Sequence, residues 1–286
     1  MKVWIAAITL RESQPEQYTI RDMSRRPLIA LLTDFGTRDP YVAEVKCVLA
    51  ALADAEIIDL THEIAPFDVF EAAMFVRTVW PSFSSMQRRV VILAVVDPGV
   101  GSERRILAMR DGDRFLLVPD NGLAHPILNT VREVRSVEDS SRSLPERSAT
   151  FHGRDRFAPM AAALANGFPF GKVGPLIIDP AEVVPLAYKE PRYDGAEARG
   201  TVISIDRFGN LITDVESARL GSSTMAATVR GTEILAVSRT YLDAPADGAF
   251  LIPGSRGTME ISVRNGSAAA LLQIARGEQV IIRFLS

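Results

Sequence analysis

Val90-Val-Ile-Leu-Ala-Val-Val96 runs straight into Asp97-Pro-Gly-Val-Gly-Ser-Glu-Arg104-Arg105. The apolar run is too short for an ordinary helix and shows no alternation, which is the pattern of a central strand buried on both faces of a parallel sheet. Its carboxyl end delivers an acid, a glycine-rich turn and paired cations. In open α/β sheets ligands lie outside the carboxyl ends of the strands, so this junction reads as part of an anion or nucleophile site.

On both sides of this strand, from Pro27 onward, short apolar stretches alternate with amphipathic ones, as strands alternate with helices in a largely parallel sheet. Leu28 to Leu32 reads as the first strand and Ile57 to Leu60 as the second. Between them Val42, Val45, Leu49 and Leu52 fall at helical spacing over Tyr41 to Leu52, with Pro40 suited to a first helical turn. Val69 to Val79 reads as the next helix. Ile106 to Met109 and Phe115 to Val118 read as a hairpin about Asp111-Gly112-Asp113, and Phe157 to Asn166 as a helix closed by Gly167.

Gly171 to Arg192 is rich in proline, has little periodicity and reads as a linker. After Gly200 come the short β-like runs Thr201 to Ile205, Ala227 to Arg230, Glu233 to Val237, Thr258 to Val263 and Gln279 to Phe284, divided by glycine turns. The expected fold class is α/β. An N-terminal α/β domain with a largely parallel central sheet would span residues 24–190, and a smaller C-terminal all-β domain, barrel or sandwich, residues 191–286. Residues 1–23 read as a polar extension, with Met23 as an alternative start. The apolar stretch from Lys2 to Leu10 lacks the small-residue cleavage site of a signal peptide.

The chain has 286 residues, 47% of them apolar and 23% charged, enough for a sizeable core. A net charge of -3 lacks the cationic surplus that nucleic-acid binding requires, so a small-molecule ligand is expected. No apolar run approaches the roughly 20 residues of a membrane span. The single cysteine, Cys47, excludes a disulfide framework or thiolate cluster, fits a cytoplasmic location and reads as packing on its helix face. His62, His125 and His152 are the only histidines and no two have the helical spacing of a zinc pair, so no metal is expected. A phosphate-binding loop and a complete dinucleotide fingerprint are both missing, Gly99-Val100-Gly101 lacking the third glycine.

Four more segments repeat the apolar lead-in followed by polar residues and glycine: Thr33-Asp34-Phe35-Gly36, Pro119-Asp120-Asn121-Gly122, Phe151-His152-Gly153-Arg154-Asp155 and Ile205-Asp206-Arg207-Phe208-Gly209-Asn210. Their convergence on one composite pocket is expected. Each also has a plain structural reading. Asp97 with Arg104 makes an ordinary ion pair across a turn, His152 a hydrogen-bonded scaffold residue, Asp34 a capping turn, Asp39 a helix cap, and Asp206 to Asn210 a hairpin turn.

In order and spacing these blocks resemble the S-adenosyl-L-methionine hydroxide adenosyltransferase family, whose relatives include the fluorinase and chlorinase. The resemblance runs from about Pro27 to the C-terminus. It implies hydrolysis of S-adenosyl-L-methionine to adenosine and methionine by water at ribose C5′, without metal or redox cofactor. Asp97, Arg104 and His152 are the implied catalytic set around that water. The sulfonium leaves as a neutral thioether, so only the nucleophile needs help, and water with a pKa of about 15.7 is a poor one at neutral pH. Histidine, with an ordinary pKa of roughly 6.5, can accept a proton, and arginine can hold the developing anion.

The same resemblance assigns binding residues. Asp34 is implied to accept from both ribose hydroxyls, its two oxygens facing two donors. Asp206 would meet the ammonium, while Phe208 and Asn210 meet the adenine, Asn210 as donor and acceptor. Ser255 and Arg256 would lie at the methionine carboxylate, Asn265 near the adenine, and Phe67 and Phe151 against the nucleoside. The family is trimeric, which implies a homotrimer whose sites pair Asp34, Asp97, Arg104 and His152 with Asp206, Asn210 and Ser255 of the next chain. Two departures from the fluorinase matter: Asp97 replaces a tyrosine and Arg104 a threonine. A carboxylate would repel a halide, so water is favoured over a halide-dependent transfer. A protein that binds S-adenosyl-L-methionine or adenosine without turnover is the alternative from another class.

Overall fold

The structure is a computed structural model that describes residues 26–138, 144, 148–195, 197–220 and 225–284. The extension expected over residues 1–23 lies outside the described residues. One sheet contains β1 (Leu28–Thr33), β2 (Glu56–Thr61), β3 (Val90–Val95), β4 (Ile106–Asp111), β5 (Arg114–Pro119), β6 (Glu133–Ser136) and β7 (Leu176–Ile177), in the order β2-β1-β3-β5-β4-β6-β7. The strands β2, β1, β3 and β5 run parallel, and β4, β6 and β7 add an antiparallel flank.

The unbroken apolar runs of β1 and β3 follow from two-sided burial. Leu28, Ala30 and Leu32 pack towards α2 (Val69–Val79), while Ile29 and Leu31 pack towards α1 (Tyr41–Leu52) and α3 (Ala158–Ala165). Burying each such side chain contributes about 1.5–3 kcal/mol. Pro40 is the N-cap of α1, with no side-chain cap bond, so Asp39 does not cap that helix. Asp68 does cap α2, accepting from Glu71 N at 2.8 Å. Cys47 is exposed and does not pack as its helix position suggested.

The proline-rich segment is more than a linker. Within it β7 joins the sheet edge, and Val173 and Val183 are buried. Asp120 explains the anchoring: its side chain pairs with Arg105 at 2.6 Å and accepts Val184 N at 2.9 Å. A two-residue strand has no period, so its sequence carried no signal.

The second sheet contains β8 (Arg192–Tyr193), β9 (Glu197–Ile205), β10 (Leu211–Glu216), β11 (Met225–Val229), β12 (Thr232–Ile234), β13 (Ala236–Val237), β14 (Ala249–Pro253), β15 (Thr258–Val263) and β16 (Gln279–Phe284). Its order is β12-β11-β16-β9-β10-β15-β14-β13, with β8 on β9. The run expected from Glu233 to Val237 splits at Leu235, and its two halves occupy opposite ends of that order. The chain itself thus closes a barrel-like wall, the expected all-β unit, with one short helix, α4 (Ala268–Leu272). No described helix is long and apolar enough to cross a membrane.

The barrel rests on α2. Ala73 and Met74 pack with Ile203 and Ile212, and Tyr188 joins Arg77 to Asp214 through hydrogen bonds of 2.8 and 2.7 Å. Burial is the largest influence on Asp214 and pushes its carboxyl up, despite donors from Tyr188 and Thr201 N.

Candidate active site

The ends of β1 and β3 and the start of α3 surround a cavity of about 420 Å³ lined by Asp34, Tyr41, Phe67, Asp97, Phe151 and His152, among others. That volume lies within the range of small-molecule sites. A π-helical turn, Gly153–Phe157, leads into α3 and places His152 at the rim.

Behind the cavity wall, Arg104 grips Asp97 with two bonds: Nε donates to Oδ1 at 2.5 Å and Nη2 donates to Oδ2. The two side chains are only 9% and 5% exposed. The guanidinium also lies 5.6 Å from the centre of the Phe157 ring. Its Nη2 reaches His152 Nδ1 at 3.4 Å. A guanidinium has donors only, so Nδ1 presents its lone pair to the cation and the ring proton sits on Nε2. The sequence blocks at Asp97 and His152 are locked together by Gly101. Its φ is +85°, and an added Cβ would lie 2.8 Å from the Ala149 carbonyl oxygen, so the close approach requires glycine.

Below His152, Asp155 is fully buried and accepts Arg154 Nε at 2.6 Å and Ser148 N at 2.7 Å. Burial favours the neutral acid, but these donors outweigh it and hold the carboxyl below its usual range. Phe35, Tyr41 and Phe151 meet edge to face and form the apolar wall.

Asp34 is already employed in this structure. Its Oδ2 accepts Phe67 N at 2.9 Å, and Phe67 is left-handed at φ 67°, with 71% of its surface exposed. Such a conformation costs a bulky residue of order 1–3 kcal/mol, which this bond helps offset.

The remaining expected site residues lie elsewhere. A second cavity, of about 640 Å³, is lined by Asp206, Phe208, Asn210, Ser255, Arg256 and Asn265, and by further residues. It shares no lining residue with the first, so the expected composite pocket is two cavities within one chain. The Asp120 block lines neither. It braces the segment around Val184, while Asn121 Nδ2 donates to Val96 O at 2.9 Å.

In the second cavity Asp206 Oδ1 accepts Phe208 N and Asn210 N, both at 2.9 Å, and Oδ2 accepts Asn210 Nδ2 at 2.9 Å. Asn210 Nδ2 also donates to Tyr241 Oη at 3.1 Å. Both amide hydrogens are therefore committed, and Asn210 offers a ligand only its acceptor rather than the expected donor and acceptor. Phe208 is 75% exposed, and Ser255, Arg256 and Asn265 are also open to solvent.

Two polar side chains lining the second cavity escaped sequence reasoning. Tyr241 lies in the β13–β14 connection without a motif, and Glu260 lies on β15, inside the strand expected over Thr258 to Val263 but not singled out there. Thr258, Glu260 and Ser262 share one strand face, on which Glu260 is 8% exposed and Ser262 is fully buried. Of the other histidines, His62 bridges Thr33 Oγ1 at 2.8 Å and Asp59 at 2.9 Å, a structural role beneath the first two strands.

A parallel-rich sheet with an Asp–Arg–His array at its strand ends and an appended β-barrel is the build of an α/β enzyme. The chain belongs to the SAM hydroxide adenosyltransferase family: the family's N-terminal domain profile matches residues 29–174 and its C-terminal domain profile residues 200–281. The chain is 37% identical to an (R)-S-adenosyl-L-methionine hydrolase from Salinispora arenicola, over 90% of this chain and 98% of that protein. It is 29% identical to a fluorinase from Nocardia brasiliensis, over 91% of this chain and 97% of that protein. The crystal structure of an uncharacterized conserved protein from Thermotoga maritima superposes with a TM-score of 0.81 at 31% identity, covering 89% of this chain and 99% of the other.

Proposed function

We propose that this protein hydrolyses S-adenosyl-L-methionine to adenosine and L-methionine by attack of water on ribose C5′. The observation that carries the reading is the buried Asp97–Arg104–His152 array beside the first cavity. The C5′–O bond forms as the C5′–S bond breaks, and sulfur keeps the bonding pair as methionine's neutral thioether. The water proton passes to a base and then to solvent.

Asp97 fixes the plane of Arg104, and Arg104 in turn orients His152. His152 Nδ1 carries the lone pair, on the side of the guanidinium, and is the base that takes the water's proton. Arg104 then stabilises the hydroxide character that develops. Anion and sulfonium neutralise one another during the step, which a dry, preorganised cavity favours over bulk water. No metal or redox group is required by this chemistry.

Asp34 takes the ribose diol with the lone pairs that Phe67 N leaves free, and Phe67 and Phe151 cover the nucleoside. Asp206, Ser255 and Arg256 serve the methionine head, and Phe208, Asn210 and Asn265 the adenine. These groups lie in separate cavities of one chain, which supports a site shared between subunits, and in the homotrimer that the family resemblance implies one subunit's first cavity would face its neighbour's second. The single cysteine supports a reducing, cytoplasmic location.

The test is incubation with S-adenosyl-L-methionine, as separate (R) and (S) sulfonium epimers, in ¹⁸O-labelled, halide-free water. Label in the 5′-hydroxyl of adenosine is the expected result. A product formed only on adding chloride or fluoride overturns the choice of water, and bound ligand without product overturns turnover itself.

A further inference from the structure

We infer that Glu260 is the second carboxylate of an ammonium seat: with Asp206 it brackets the α-ammonium of the ligand's amino-acid part and makes the second cavity selective for an amino acid over its deaminated analogue. The inference rests on the hydrolase reading for the identity of the ligand, but not on turnover.

Glu260 lines the cavity although its residue surface is 8% exposed. In register on either side are Ile212 of β10 and Ile252 of β14, both 4% exposed, so neither flanking strand presents a cation at that level. Its carboxylate lies over Gly254, where an added Cβ would meet Oε1 at 2.0 Å. The chain leaves its backbone bare there, and the carboxylate occupies the room.

The charged and titratable groups facing Glu260 come from three connections: Asp206 from β9–β10, Tyr241 from β13–β14 and Arg256 from β14–β15. Burial is the largest influence and pushes the Glu260 carboxyl up, and the charge of Asp206 adds to it. Arg256 and the hydrogen bond with the Tyr241 hydroxyl only partly counter this. Two acids thus face one cavity with one arginine at its mouth. A ligand bearing an ammonium relieves their repulsion, and its carboxylate is met by Arg256 and Ser255. Asp206 alone is poorly placed to do this. One of its oxygens already accepts two backbone N–H groups and the other an amide hydrogen.

The experiment compares wild type, Glu260→Gln and Glu260→Asp for S-adenosyl-L-methionine and for adenosine, which lacks the amino acid. Glu260→Gln is expected to weaken S-adenosyl-L-methionine about tenfold, a change of ~1.4 kcal/mol, with the effect in KM rather than kcat and no change in adenosine inhibition. Glu260→Asp keeps the charge and is expected to recover part of the loss, which separates charge from packing should the glutamine variant fold poorly. Unchanged affinity for S-adenosyl-L-methionine in Glu260→Gln overturns the inference. So does an equal loss for both ligands, which marks a structural role. If wild type binds without turnover, the hydrolase reading falls while calorimetric affinities for the same two ligands still decide the seat.

Discussion

The two cavities solve opposite electrostatic problems. In the first, the anion Asp97 is matched by Arg104 within the protein, on residues fixed by strand ends and a glycine contact, before any ligand arrives. In the second, Asp206 and Glu260 face each other on a loop and a strand, and burial and mutual repulsion raise the Glu260 carboxyl. The difference assigns different work to each. A matched, rigid array stabilises charge that develops during a reaction, whereas an unmatched one is completed by charge the ligand brings.

The largest effect is expected where the matched pair is broken. Arg104→Ala leaves Asp97 buried without its cation and should cost about 3–5 kcal/mol of stability. Turnover should fall by about 10²–10⁴-fold in this variant and in His152→Ala. Denaturant midpoints and kcat measure both. The double variant Asp97→Asn/Arg104→Met should recover much of the stability and none of the activity. Wild-type turnover in either single variant would reduce the array to an ordinary ion pair.

A second effect contrasts the signs of two acids. Asp155 beneath the first cavity has its carboxyl held below the usual 3.8, so its contribution is present above that value and is lost as pH falls through the lowered folded one. The Tm gap between wild type and Asp155→Asn should therefore shrink below about pH 4. Glu260 is raised above 4.5, so its contribution is present below 4.5 and is lost as pH rises through the folded value. Relative to wild type, Glu260→Gln should gain stability over that window. Parallel pH trends for the two variants would erase the distinction between the cavities.

The smallest effect concerns Phe67. Phe67→Gly removes a left-handed phenylalanine, and the relief of about 1 kcal/mol is offset in part by greater freedom of the unfolded chain. The folded protein should be nearly as stable while nucleoside affinity drops several-fold, both readable by melting with and without adenosine. A large stability loss would show that the ring packs rather than waits for a ligand.

The first cavity was legible because its Asp34 and Asp97 blocks are strand ends, where an apolar run stops at a polar residue and glycine, and its His152 block is the polar lead-in to a helix. Helices over Tyr41–Leu52 and Val69–Val79 were legible from apolar spacing for the same local reason. What escaped depends on neighbours. Leu211–Glu216 and Ala249–Pro253 became strands by pairing within the barrel wall, and Leu176–Ile177 by lying against Val134 and Arg135. Glu260 carries no motif, and it is Gly254 and the connections bearing Asp206, Tyr241 and Arg256 that make it part of a cavity. The sequence offers the Asn210 amide as a donor, and it is the loop's own hydrogen bonds to Asp206 and Tyr241 that take its hydrogens. The motif-like Asp120-Asn121-Gly122 shows the converse, a site pattern whose polar groups brace the chain.

The barrel's two outermost strands, β12 and β13, are separated by Leu235 alone, and that residue is 61% exposed. One cut at this peptide would free two unpaired strand edges where the intact wall leaves them tethered, and unpaired edges are templates for aggregation. The exposed Leu235 link is therefore the place where proteolysis would open the barrel wall.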